Sequence, residues 1–218
     1  MQPYEELEIR WAEFNGLDPG GMCCCASGTA ALHLALEAFQ LPLGSEVVTS
    51  DFNMIAVPRA IAAAGLTPVF VDCDEQLLME CKLLGTGHNY LPREAIHPDK
   101  TAAIIAVHVY GRRCDMDDLA WLAEDVPCKL VEDLAEAHGV KPHPQTDAAC
   151  WSFFRNKIVA GEEGGAVWFR DPAHAALARQ LRTLGFTEAH DFMHVPRGMN
   201  YRMSNLHAEA VLENMGVW

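Results

Sequence analysis

The sequence predicts an α/β domain built on a mainly parallel sheet. Three observations predict it: short runs of continuous apolar residues alternate with stretches of helical periodicity, glycine and proline punctuate the junctions, and three of the apolar runs end on the polar residues Asp72, His108 and Asp133. Residues 4–14 predict a short helix, broken by Gly16 and by Asp18-Pro19-Gly20-Gly21. Met22 to Ala26 is a short apolar strand that runs through Ser27-Gly28-Thr29 into a helix, Ala30 to Phe39, with Leu32, Leu36 and Phe39 on one face. Pro42 and Gly44 turn the chain into a strand from Glu46 to Thr49. Residues 55–64 predict a helix in which Pro58 is tolerated only near the first turn, and Gly65 closes it.

Thr67 to Asp72 reads as a compact buried strand, and Ala102 to His108 as another, followed by Tyr110-Gly111 and a helix from Met116 to Ala123. Lys129 to Val131 is a strand whose end carries Glu132 and Asp133. Ala149 to Phe154 and Gly165 to Phe169 read as two strands flanking a loop that holds Lys157. Pro172 to Leu184 predicts an amphipathic helix, and Ser204 an N-cap for a last helix reaching about Asn214. In open sheets of this kind working residues collect at the carboxyl ends of the strands, which directs attention to Asp72, His108 and Asp133.

Composition narrows the possible partners. With 30 acidic against 16 basic residues, a formal net charge of −14 and no basic cluster, the chain repels polyanions, so nucleic acid is not an expected partner. No apolar run reaches bilayer length, and the acidic amino-terminal pattern lacks a signal-peptide core; a cytoplasmic protein without membrane contact is expected. Eight cysteines include the run Cys23-Cys24-Cys25 but no C-x-x-C pair, so they read as small buried hydrophobes rather than as metal ligands. With 218 residues, half of them hydrophobic, the chain can bury a substantial core.

Three local elements carry chemistry. Ser27-Gly28-Thr29, small residues between a strand and a helix, lets an anion approach exposed N–H groups where the helix dipole favours negative charge; it equally fits an ordinary N-cap. Glu132-Asp133 places an acid at a strand end in apolar surroundings, where a cationic partner such as a protonated pyridine nitrogen, an N-cap role or a structural ion pair would each account for it. Lys157 follows Trp151-Ser152-Phe153-Phe154-Arg155-Asn156 and precedes a glycine-rich turn, a setting for a partly desolvated nucleophilic amine; a solvated surface lysine is the plain alternative. In this order, a phosphate turn, an acid and a lysine are the parts that a pyridoxal phosphate (PLP) site needs.

The strings SGTAALHLAL (27–36), TPVFVD (67–72), HVYGRRCDMDDL (108–119), EDLAEAHG (132–139), SFFRNK (152–157), GEEGGAV (161–167) and NYRMSN (200–205) resemble the DegT/DnrJ/EryC1/StrS family of PLP-dependent aminotransferases, in the family's order and over nearly the whole chain. The resemblance implies a three-layer α/β/α fold with a mainly parallel seven-stranded sheet, the large domain of fold type I. It implies Lys157 as the Schiff-base lysine and Asp133 as the partner of the pyridine nitrogen. Gly28, Thr29 and Ser152 would contact the phosphate, Glu136 would lie near the ring's phenolic oxygen, and His108 and Tyr110 would line the pocket or anchor its loop. Asn200 and Arg202 match positions that reach a neighbouring subunit's site, which implies a homodimer with shared active sites; Arg202 pairing with a surface acid is the alternative.

The implied reaction moves an amino group from an amino acid, commonly glutamate, to a nucleotide-linked keto-sugar. Family dehydratases carry His in place of the lysine, so Lys157 implies transamination. Met54 stands where the family usually has an aromatic residue that stacks on the cofactor; a thioether can still pack on a ring. Arg155-Asn156 differs from the more common local string, a change of little weight. Residues 1–218 are expected to form the PLP-binding large domain, with an amino-terminal segment and most of the smaller C-terminal domain absent. A shortened PLP-binding homologue with weak or no turnover, or a structural partner of a full-length homologue, are the alternatives. Phe186, His190, His194 and Arg197 are candidates to face a nucleotide or a partner subunit.

Overall fold

A computed structural model describes residues 1–80, 95–187 and 192–216. Cys81, His190 and the final pair Val217-Trp218 lie outside the described residues. Among the described residues seven strands form one sheet: β1 (Met22–Cys25), β2 (Glu46–Ser50), β3 (Thr67–Val71), β4 (Thr101–Val107), β5 (Lys129–Asp133), β6 (Ala148–Ser152) and β7 (Gly165–Phe169), in the order β1-β7-β6-β5-β4-β2-β3. β7 pairs antiparallel with both β1 and β6 while the other pairs are parallel, so β7 alone is reversed. The carboxyl ends of the other six strands therefore share one edge of the sheet.

Alternation along the strands builds the three layers. Cys23, Cys25, Val47, Ala103, Ile105, Val131, Ala148 and Cys150 face one side, where α2 (Gly28–Ala38), α3 (Ala56–Ala63) and α5 (Pro172–Leu181) cover them. Val48, Ile104, Ala106 and Leu130 face the other side and meet α4 (Met116–Asp125), while Met22, Cys24, Ala149 and Trp151 meet α1 (Pro3–Asn15) and α6 (Asn205–Met215). The expected buried thiols are confirmed for Cys23, Cys24, Cys25, Cys114 and Cys150, and Cys73 and Cys128 are half-buried. Pro58 falls on the third residue of α3, inside the first turn as required.

The two sheet edges are managed differently. Along β1 the Cys24 N–H donates to Glu8 Oε1 at 2.8 Å, the Cys24 carbonyl accepts from Arg182, and the Met22 carbonyl accepts from Arg179 at 2.7 Å. Charged side chains thus saturate the free ladder groups and the strand stays fully buried. β3 corrects the sequence reading: Thr67 to Val71 is the opposite edge strand, not a compact buried one, and Phe70 is 50% exposed. An edge position also explains why Pro68 is tolerated there.

Other boundaries moved by two or three residues. α2 begins at Gly28 because Ser27 caps it, β5 extends through Glu132 and Asp133, β6 stops at Ser152 rather than Phe154, and α5 stops at Leu181, short of the left-handed Leu184. The start of β7 touches the exit of β1: a Cβ on Gly165 would collide with the Ser27 carbonyl and lie 2.7 Å from the Gly28 nitrogen. Since that obstacle is backbone, Gly165→Ala is expected to cost about 1–3 kcal/mol of stability, read as a lowered midpoint in denaturant at unchanged slope.

Candidate functional site

The strand ends enclose a cavity of about 510 Å³ at the carboxyl edge of the sheet. Gly28 and Thr29 enter it from the start of α2, Asn53 and Met54 from the segment after β2, Asp133 and Glu136 from beyond β5, and Ser152 and Lys157 from beyond β6. Of the eight residues expected at the cofactor, seven are thereby brought together: Gly28, Thr29, Met54, Asp133, Glu136, Ser152 and Lys157. The eighth, Asn200, is not.

At the start of α2 the N-cap reading holds: Ser27 Oγ accepts the Ala30 N–H at 3.1 Å. Its capping leaves the first-turn N–H groups of Gly28 and Thr29, both at the cavity wall, without helical acceptors. Gly28 also admits Ser152, since a Cβ there would lie 2.7 Å from Ser152 Cβ. Two small residues and a hydroxyl therefore form a cradle for an anion at a helix N-terminus.

Asp133 is 6% exposed, and Oδ1 accepts the Ala135 N–H at 3.0 Å. No helix starts here, as residues 134–140 form successive turns, and among the described residues no cation lies within ion-pair distance. Neither plain alternative for this carboxylate is met. Burial pushes its pKa up, opposed by the Ala135 N–H and by the charges of His108 and Lys157.

Lys157 departs from the surface-lysine reading in the same way. Its side chain is 15% exposed, held by a turn in which the Lys157 N–H donates to the Phe154 carbonyl at 2.8 Å. Nζ lies 3.5 Å from Glu136 Oε1, and Glu136 Oε2 accepts the Tyr110 N–H at 3.1 Å. Tyr110, at the rim, holds a left-handed backbone (φ 54°) followed by Gly111 in the same region. Met54 is 72% exposed at the mouth, and aromatic rings at the cavity come from Phe52, two residues earlier, and from Tyr110 and Phe154.

His108 is both at the cavity wall and an anchor of its loop. Its ring is fully buried: Nε2 donates to Glu132 Oε2 at 2.7 Å and Nδ1 accepts the Cys114 N–H at 3.1 Å. Burial would push Glu132 up, but hydrogen bonds from His108, Thr146 and the His143 N–H hold its pKa below the usual value. Asp72 takes no part in the cavity; its carbonyl accepts the Glu80 N–H beside the edge strand.

Asn200 lines a second cavity, about 410 Å³, with Tyr4, Arg182, Arg202 and Ser204. Arg202 donates to Asn200 Oδ1 at 3.4 Å and has no acid within ion-pair distance among the described residues, so the surface-pair alternative fails. The Phe186 and His194 rings meet at a tilt of 49° with centroids 4.4 Å apart, and Arg197 pairs with Glu37 at 2.7 Å. His194 and Arg197 remain exposed, and Phe186 is half-buried.

Sequence reasoning missed His138. The ring is buried, its Nε2 lies 3.0 Å from the Ser152 carbonyl, and its Nδ1 accepts the Val159 N–H at 3.2 Å. Burial pushes its pKa down to about 4, with the Ser152 carbonyl opposing and Lys157 assisting. Only the fold could show this, since the contacts require the 134–140 turns to bring residue 138 back against β6. Asn53, Phe154 and Glu163 also line the cavity and carried no separate signal.

The model of the DegT/DnrJ/EryC1/StrS aminotransferase family matches residues 3–217. A GDP-perosamine synthase of Caulobacter vibrioides is 36% identical over 210 residues, 93% of this chain and 53% of that protein. A dTDP-3-amino-3,4,6-trideoxy-alpha-D-glucose transaminase of Micromonospora megalomicea is also 36% identical, over 95% of this chain and 54% of its own length. The crystal structure of NtdA from Bacillus subtilis with bound cofactor PMP superposes with a TM-score of 0.85 at 26% identity, covering 99% of this chain and 48% of that one. The chain spans about half the length of the curated relatives it matches.

Proposed function

The chain belongs to the DegT/DnrJ/EryC1/StrS aminotransferase family, and from that premise we propose that it forms the PLP-binding large domain of an aminotransferase acting on a nucleotide-activated keto-sugar, with glutamate as the first donor to test. The observation that carries this reading is Asp133: a buried carboxylate at the wall of the cavity that holds Lys157, with one backbone hydrogen bond and no cation paired to it among the described residues. A protonated ring nitrogen would supply the missing charge.

The residues fit the cofactor. Gly28, Thr29 and Ser152 would bind its phosphate, Asp133 would hold its ring nitrogen protonated, and Lys157 would supply the amine that links to its aldehyde. When bound, pyridoxal phosphate supplies a carbon that exchanges amines and a ring that accepts electrons from the carbon losing a proton. Lys157, once released by the incoming donor, takes the proton from the donor's α-carbon. Glu136, 3.5 Å from Nζ, balances the ammonium that this creates. Phe52 and Met54 at the mouth would limit water access to the ring.

The placement of Asn200 and Arg202 outside this cavity supports a homodimer in which they complete the site of a second copy. Free cysteines, without a disulfide among the described residues, support a cytoplasmic setting, and no helix of the described residues is long and apolar enough to cross a membrane.

Single-turnover absorbance tests the reading. With PLP bound, excess glutamate is expected to convert the visible band to the near-ultraviolet band of the amine form of the cofactor, without any sugar present. A spectrum unchanged by glutamate, glutamine, aspartate and alanine would sink the aminotransferase reading and leave a cofactor-binding chain without turnover.

A further inference from the structure

The hydrogen-bond ladder between β5 and β6 runs out before the working residues begin. Its last backbone bond there is Leu134 N–H to the Cys150 carbonyl at 2.8 Å. Along a strand the next carbonyl on the same side is two residues on, at Ser152, but the chain after Leu134 has already turned away. His138 takes up that carbonyl with its side chain, Nε2 to Ser152 O at 3.0 Å. Seven residues later the chain returns to the same ring, where the Val159 N–H meets Nδ1 at 3.2 Å. One imidazole therefore grips the chain on both sides of Lys157, at Ser152 before it and at Val159 two residues after it.

The partners dictate the ring's state. A carbonyl only accepts, so Nε2 carries the proton; a backbone N–H only donates, so Nδ1 carries a lone pair. Trp11 and Phe153 pack edge-on against the ring, at 5.2 and 5.9 Å between centroids, and keep it dry. His138 does not line the cavity.

We propose that His138 is a positioning residue whose neutral imidazole sets the distance between the Ser152 hydroxyl and the Lys157 amine, and so couples phosphate binding to covalent attachment of the cofactor. This rests on the cofactor reading above. Ser152 Oγ sits beside Gly28 at the anion cradle, and only the turn from Phe153 to Asn156 separates it from Lys157. Loss of the His138 clasp leaves the strand end held only from the β7 side, where Ser152 pairs with Gly165 and the Phe153 N–H donates to the Gly164 carbonyl at 2.8 Å, and the Ser152 carbonyl and Val159 N–H lose their common frame.

The test compares pyridoxal phosphate with pyridoxal, which carries the same aldehyde and ring without the phosphate. Absorbance titration of the wild-type apoprotein, with borohydride trapping, first establishes Lys157-dependent binding; failure here overturns the function proposed above rather than the clasp. Given binding, His138→Asn, which can keep the acceptor toward Val159 but not the donor toward Ser152, is expected to shrink the preference for the phosphate form about three- to tenfold. His138→Gln, whose amide reaches the Ser152 carbonyl, should restore the preference to within about twofold.

A purely structural histidine would weaken both aldehydes equally and leave their ratio intact in both variants, and that result overturns the proposal. Nitrogen-15 spectra of histidine-labelled wild-type protein provide a measurement independent of variant folding. A neutral ring protonated on Nε2 at pH 7 is expected, and a ring protonated on Nδ1 or on both nitrogens refutes the clasp.

Discussion

Lys157→Ala is expected to abolish borohydride-fixed cofactor and to reduce transamination by at least about 10⁴-fold, because the substitution removes both the covalent anchor and the base. The fold should not notice. Among the described residues the one ion pair lost is with Glu136, 3.5 Å away and 41% exposed, and pairs of that kind contribute about 0–1 kcal/mol. Thermal denaturation of the apoprotein should therefore be nearly unchanged while the visible band disappears. Mass spectrometry of the borohydride-treated wild type should place the cofactor on the peptide containing Lys157. Labelling of Lys129 instead would refute the site, since that residue lies at the amino end of β5, paired with Asp147 at 3.3 Å.

The layers of the fold were legible because alternation and apolar runs record how many faces a strand buries. They do not record how many neighbours it has. TPVFV at 67–71 and TAAIIAV at 101–107 are both apolar and β-prone, yet among the described residues β3 pairs only with β2 while β4 lies between two strands. Nor does the local sequence reveal that β7 is reversed, or that Glu8, Arg179 and Arg182 seal the β1 edge from positions up to 158 residues distant. Such information resides in the packing.

The site was legible to the extent that it sits at strand ends. Asp133 and Ser152 are the final residues of β5 and β6, and Gly28 opens the helix after β1, so their positions follow from the topology alone. Direction within a strand end was harder to read. Glu132 and Asp133 are neighbours, but alternation buries Glu132 against the His108 ring and turns Asp133 into the cavity. His138 left no trace in the local pattern because its role is to replace a missing backbone partner, which exists only once the chain has turned.

Asp133→Asn is expected to raise the stability of the apoprotein and lower the activity of the loaded protein. A carboxyl whose pKa is raised by folding holds its proton more tightly in the native state, so its ionised form costs stability at neutral pH, and that cost fades as pH falls through the native value toward the unfolded one. Asparagine keeps an oxygen to accept the Ala135 N–H and removes the buried charge, so the melting temperature of the apoprotein should rise by about 2–4 °C for each kcal/mol regained in a chain of this size. The gain over wild type should shrink on acidification. With cofactor bound, the same change removes the anion that keeps the ring nitrogen protonated, and turnover is expected to fall on the order of 10²- to 10³-fold, as when one preorganised electrostatic partner is lost. Opposite signs distinguish a functional charge from a structural one: if Asp133→Asn lowers both melting temperature and activity, the carboxylate belongs to the scaffold and the assignment of the ring partner is wrong.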